Sequence, residues 1–371
     1  MRPQSIQKTL LRVATGTAIL TVPLLVFKST AQEPEARGQL ISPYAIVANR
    51  ATGKVYAVDS SAGVVTVIYA SSNATATISA GKEPVSLAIN EATNTIYVAN
   101  VGSGTVTEID GATDVPRATI DVGHLPYAIA VNPKTNRIYV SHTFSDALTV
   151  VDGATRDVVQ VKAGSADAIA VNAKTDKVYL LGYEGTQLTV LDGASNAQSK
   201  ITTGGHVWGF AINESTGKMY VTHIGTNALQ AIDLATGKST DIPTGKMPCA
   251  VQINLATNRV YAVNYGDDSV TVVDGNNDAA IATIQTGEGP QAIAVDAKAN
   301  KVYIANTYSN TVTAIDGATN TVTATMTTGE HPFGLAVDAA SGHLYSENFG
   351  DLKPGSTPAT LSLDILASTP H

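Results

Sequence analysis

The chain predicts an all-β fold: a β-propeller of four-stranded blades, eight in number, with the ring closed by an N-terminal strand. Three observations carry this. Tyrosine recurs at 56, 97, 139, 179, 220, 261, 303 and 345, always 40 to 42 residues apart. Each interval holds four short runs of alternating apolar and polar residues, separated by turn clusters. No helical periodicity follows the first 31 residues.

Residues 1–31 read as a signal peptide. Arg2, Lys8 and Arg12 make a basic start, Val13 to Phe27 form an apolar stretch, and Ser29-Thr30-Ala31 resembles a small-residue cleavage site. Thr15, Gly16, Thr17, Thr21 and Pro23 interrupt a run already short for a bilayer, so a retained anchor fits less well and no membrane span is expected after its removal. The expected location is exported, periplasmic or extracellular. Residues 32–371 then form a single propeller domain, with repeats from about 43 to 365. Removal of the leader takes away Arg2, Lys8, Arg12 and Lys28 and no anion, which moves the formal charge from −8 to about −12. An acidic surface repels phosphate backbones and argues against nucleic acid as a partner. The single Cys249 permits no internal disulfide, so stability must come from packing.

One repeat is clearest from Pro126 to Gly164. Its first strand, Tyr127 to Asn132, alternates Ala with Ile and Val; a turn at Pro133 to Asn136 leads to a second strand at Arg137 to Ser141. Ala147 to Asp152 is the third strand, Gly153-Ala154-Thr155 the next turn, and Val158 to Val161 the outer strand. Alternating small and large residues suit a sheet buried on both faces between neighbouring blades, and the recurrent Tyr suits a wedge whose hydroxyl reaches a polar partner. Asp-Gly recurs after the third strand at 110, 152, 192, 274 and 316, where glycine is expected to supply a positive φ. First, second and third strands occur eight times, ending with Leu361 to Ile365, whereas the outer strand follows only seven units. Arg37 to Ser42 is therefore expected to complete the last blade. Seven blades with a displaced terminal unit is the alternative.

Tyr97-Val-Ala-Asn100, Tyr303-Ile-Ala-Asn306 and Val312 to Val322 resemble the YVTN β-propeller repeat, and the mature chain is similar to the YncE-like secreted propellers from Pro43 to about Ile365. The resemblance implies the fold. For function it implies a range, since relatives include surface-layer components and periplasmic binding proteins, and more distant propellers include sugar lactonases. No catalytic signature of those enzymes is present, and the eighth unit departs from the seven blades usual for the YncE-like group.

Function is therefore sought where repeats differ. The connections from outer to first strand and from second to third strand share one rim of the channel. Three residues past each Tyr, Asn is the default at 100, 264, 306 and 348, but His142 and His223 break the pattern. His124, His206 and His331 lie in the other rim connection. With Asp167, the set His124, His142, His206 and His223 offers nitrogen and oxygen donors of the kind zinc or copper takes, though no local spacing such as His-Glu-x-x-His accompanies them. The alternative is that polar residues simply favour loops. The same rim carries Tyr44, Tyr127, Trp208, Cys249 and Phe333, with carboxylates at Glu83, Glu288 and Glu330. Aromatic and polar groups in a concave mouth suit a small-molecule or peptide site, for which Tyr127, Trp208, Phe333, Glu83, Glu330 and His331 are the candidates. Packing around the channel is the plainer reading of each, and Cys249 reads as a small buried hydrophobe. Asp274 to Asp278 lacks the remaining ligands of a calcium loop and reads as a turn.

A binding scaffold is thus the expected function, its partner a small molecule, a peptide or a cell-envelope protein. The runner-up is an enzyme at the same rim, either a His-ligated metal or redox site or a lactonase-like hydrolase. A structural envelope component is the third reading.

Overall fold

Alternation of apolar and polar residues over runs of five to seven, broken by Asn, Asp and Gly, produces strands and tight turns throughout the chain. The computed structural model describes residues 45–182, 185–339, 341–349 and 362–366. These residues form eight separate antiparallel sheets in sequence order. Blades 1 to 7 (46–79, 84–121, 126–162, 168–202, 207–243, 248–285 and 290–327) have four strands each, and blade 8 (332–366) has three described strands. The ring closes by packing of blade 8 on blade 1: Ile46, Val55, Ala57 and Ile68 share a core cluster with Ala336 and Tyr345. Eight blades are therefore present. The leader, Tyr44 and the proposed closing strand Arg37 to Ser42 lie outside the described residues. No helix among the described residues is long and apolar enough to cross a membrane.

Each recurrent Tyr packs against the blade that follows. Tyr56 joins Leu87 and Ile96 of blade 2, Tyr97 joins Ile129 and Ile138 of blade 3, and Tyr139 joins Ile169 and Val178 of blade 4. Ala128 faces blade 4 while Ile129 faces blade 2. The small-large alternation thus assigns one side of each inner strand to each neighbour.

Polar links that the sequence did not announce tie the blades together. The last residue of the first strand is Asn in six blades, at 49, 90, 132, 172, 213 and 254. Its Oδ1 caps the following turn, as in Asn90 to the Ala92 amide at 3.1 Å. In five of the six its amide nitrogen donates to the next blade: Asn49 to Asn94 at 2.8 Å, Asn90 to Asn136 at 2.7 Å, Asn132 to Asp176 at 2.6 Å, Asn213 to Asn258 at 2.7 Å and Asn254 to Asn300 at 2.8 Å. The acceptors are all in the left-handed region, which Asn and Asp tolerate better than other residues with a side chain. These same acceptors explain the Asp-Gly repeat and correct the expectation of positive φ. Gly111, Gly153, Gly193, Gly275 and Gly317 are not in the left-handed region. A Cβ at Gly153 would instead stand 2.6 Å from the Asn136 amide nitrogen, so close approach excludes any side chain.

A second set of latches differs from one interface to the next. Tyr56, Tyr69 and Lys54 of blade 1 all donate to Asp114 of blade 2, at 2.8–2.9 Å. Tyr220 and Lys218 of blade 5 converge in the same way on Asp278 of blade 6. Asp278 is thereby occupied by protein donors, in keeping with a structural turn. Between blades 2 and 3 the charges are exchanged: Arg156 donates from two nitrogens to Glu108, at 2.7 and 3.2 Å.

Candidate functional site

The rim begins with backbone geometry. In six blades the residue before the first-strand proline or its equivalent, at Glu83, Leu125, His206, Met247, Gly289 and His331, has φ between 51° and 65°. Its carbonyl accepts from the second-to-third-strand loop at Val101, Thr143, Ile224, Tyr265, Thr307 and Phe349. Next to it lies a register shift at the start of the first strand in blades 2, 3, 5, 6, 7 and 8. Bulges of this kind re-aim a side chain. The residues beside that turn are Val85, Tyr127, Asp167, Trp208, Cys249, Gln291 and Phe333, one per blade from 2 to 8. A backbone repeated in six of these blades thus places unlike side chains at equivalent positions; blade 4, with Asp167, lacks both the left-handed turn and the register shift.

Among the described residues the histidines are spread between the rim surface and the layer beneath it. His142 and His223 are buried beneath the rim, at 3% and 5% exposure, instead of facing it. The position is a structural peg. Asn100 Oδ1 accepts from the Gly81 amide at 3.1 Å, while its nitrogen donates to Thr105 and Thr107. Asn264 and Asn306 likewise donate to third-strand hydroxyls. His142 occupies the same place: Nδ1 donates to the His124 carbonyl at 2.9 Å, and Nε2 stands 2.7 Å from the Thr149 hydroxyl, which itself donates to the Val122 carbonyl at 2.9 Å. Burial holds its pKa below the ordinary value, against the opposing effect of the His124 carbonyl. Both ring nitrogens thus face protein atoms inside the blade. His223 Nδ1 donates to the Gly205 carbonyl at 3.2 Å. His124 and His206 are exposed on the loops. Among the described residues no three His, Cys, Asp or Glu side chains are placed to hold a metal ion. The donor set His124, His142, His206, His223 and Asp167 expected for zinc or copper is thus not gathered into one group among the described residues.

Other candidates divide into packed and presented residues. Phe333 is buried and stacks on Phe349 with centroids 3.7 Å apart, so it belongs to the core beside blade 1. Cys249 has its thiol pushed up to about 12 by burial, which removes thiolate nucleophilicity at neutral pH. Glu330 is exposed, and Glu83 is half-buried against Gly102. His331 stands edge-on to Tyr308 at 6.3 Å, and Tyr308 edge-on to Tyr265 at 6.4 Å, an aromatic row over blades 6 to 8 that the repeat spacing did not single out. Tyr127, Asp167 and Trp208, on three successive blades, are half-buried. Burial, then the negative charge of Asp167, raises the Tyr127 hydroxyl pKa, which keeps it a neutral donor. Tyr183 and Glu184, which follow in the second-to-third-strand connection of blade 4, lie outside the described residues.

A cavity of about 360 Å³ lies among the first strands of blades 1 to 6 and includes Glu214 and Leu255 of the turns on the opposite face.

No protein-family model matches the chain, and no curated protein matches it. Solved structures do. The Kuenenia stuttgartiensis hydrazine synthase is similar with a TM-score of 0.61 at 19% identity, over 78% of this chain and 99% of that one. The dihydro-heme d1 dehydrogenase NirN, solved in complex with DHE, is similar with a TM-score of 0.70 at 15% identity, over 85% of this chain and 72% of that one. At such identities the likeness is one of fold. It is an eight-bladed propeller that this chain shares with its structural neighbours.

Proposed function

We propose that the chain is an exported propeller of the YVTN, YncE-like type that works as a binding scaffold through the rim bearing Tyr127, Asp167 and Trp208. The carrying observation is the contrast at that rim. Backbone hydrogen bonds and bulges repeat in six blades, while the side chains beside them, and Asp167 at the corresponding place in blade 4, change in size, charge and aromaticity. A fold that needed only to pack would have no use for that variation at a half-exposed mouth. Two aromatic rings flanking a carboxylate favour a ligand with an apolar body and a hydrogen-bond donor, which fits a small molecule or a peptide side chain from the cell envelope. The basic, apolar leader supports export.

The test is ligand capture from periplasmic extract, read by native mass spectrometry, with wild type beside a Tyr127→Ala/Trp208→Ala variant. The expected result is a bound species that the variant loses while its circular dichroism is unchanged. Retention of the same species by the variant would remove the rim from consideration.

A further inference from the structure

The opposite end of the channel carries a second pattern. Directly across from the recurrent Tyr, the first strand places Val47, Ala88, Ala130, Ala170, Ala211, Gln252, Ala294 and Ala336. The first six of these line the 360 Å³ cavity. Alanine is the smallest side chain that still covers the backbone, so this level keeps the bore open. Ile89, Ile129, Val131 and Ile212 continue the aliphatic wall. A volume of this size falls within the range of small-ligand sites, about 300–1,000 Å³.

Only two lining side chains are polar, Gln252 and Glu214. Gln252 interrupts the alanine level and makes no side-chain hydrogen bond to a described residue. Glu214 is the one charged lining residue and stands in the turn of blade 5, at the open end. Its Oε1 accepts from the Ala173 amide of blade 4 at 2.8 Å, which fixes the carboxylate at the mouth. One backbone bond leaves most of the carboxylate's lone-pair sites for another donor.

From this geometry we infer that the cavity on the first-to-second-strand face binds a small aliphatic amine, independently of the rim site. The hydrocarbon body lies along the alanine level, where it leaves water. The ammonium stays at the mouth beside Glu214, half in solvent, so its hydration is only partly lost. The negative net charge of the chain favours the same cation over an anion. Gln252 offers a single polar contact within the bore and sets a preference for a chain carrying one hydroxyl part-way along.

Isothermal titration of the whole protein with n-hexylamine, 1-hexanol and hexanoate at neutral pH tests this. Hexylamine is expected to bind at least about tenfold more tightly than either analogue, a difference that measures the charge preference. Glu214→Gln keeps an acceptor for the Ala173 amide but removes the charge, and should erase that preference. Ala170→Phe should block all binding. Should that variant misfold, transferred nuclear Overhauser effects from the Ala88 and Ala130 methyls to hexylamine protons in the wild type give the same answer. Tyr127→Ala/Trp208→Ala should leave hexylamine binding unchanged, which separates this site from the rim. Absent binding, hexanoate as tight as hexylamine, or undiminished binding to a folded Ala170→Phe protein would each overturn the inference.

Discussion

At the end of the second strand, Asn100, Asn264 and Asn306 each hold third-strand hydroxyls with one short side chain, and His142 reaches the equivalent Thr149 with an imidazole. Replacement of His142 by Asn should therefore be tolerated, whereas His142→Ala should destabilise by about 1–3 kcal/mol, the usual cost of abandoning buried polar partners. Denaturation midpoints of the two variants check this, and a metal-binding role would make both equally damaging to metal content. The tyrosines divide similarly. Tyr220 donates to Asp278 at 3.0 Å, whereas the hydroxyl of Tyr261 is buried with no partner among the described residues. Loss of the hydroxyl in Tyr220→Phe should cost about 1 kcal/mol and in Tyr261→Phe distinctly less. Truncation of either to Ala should cost about 3–5 kcal/mol, because the ring fills an inter-blade core. Urea unfolding of the four variants would separate hydroxyl from ring. The tyrosine period was legible in sequence because it repeats; the pairing of a hydroxyl with Asp278 was not, because the partner belongs to the next repeat.

Turns and strands show the same division. Asp-Gly pairs mark the third turn of most blades, and their spacing was readable, yet the reason for glycine was not. The neighbouring Asn94, Asn136, Asp176, Asn258 and Asn300 come from a turn about 17 residues earlier and fill the space a Cβ would need. Gly153→Ala should accordingly destabilise by about 1–3 kcal/mol through overpacking, while Gly217→Ala, with nothing within 4 Å but φ at 69°, should cost about 1–2 kcal/mol through backbone strain alone. Differential scanning calorimetry of Gly153→Ala combined with Asn136→Ala would identify the mechanism: relief in the double variant is expected only if the clash is with that side chain. The rim backbone follows the repeat in six of the eight blades. Its bulges decide which side chains reach the mouth, and a bulge has no residue signature of its own.

Across the whole ring, one interface differs chemically from the rest. Glu347 of blade 8 is 1% exposed at a position taken by Val58, Ala99, Ser141, Leu181, Thr222, Val263 and Ala305 elsewhere. It lies against Gly334, and its Oε2 has no hydrogen-bond partner among the described residues. Burial, then the charge of Asp59 in blade 1, raises its pKa well above the ordinary value near 4.5. A raised folded-state pKa means that the folded ring holds a proton that the unfolded chain releases, so this group's contribution is fully present below about 4.5 and is lost as pH rises toward the folded value. Glu347→Gln should flatten that part of the stability profile and raise the melting temperature at pH 8 relative to wild type. Thermal unfolding between pH 4 and pH 8 measures it, and parallel curves for the two proteins would show that the seam does not titrate.

By itself the sequence determined the strand content, the four-strand unit, the number of units and the inter-blade role of the tyrosines. These follow from short-range alternation and a constant period, which any stretch of chain carries within itself. Tertiary structure alone decided which polar atoms meet across interfaces, that His142 and His223 are buried beneath the rim, and that a cavity lies among the first strands of blades 1 to 6. Each of those depends on residues tens of positions apart being brought within a few ångströms by ring closure, and the period is indifferent to what they are.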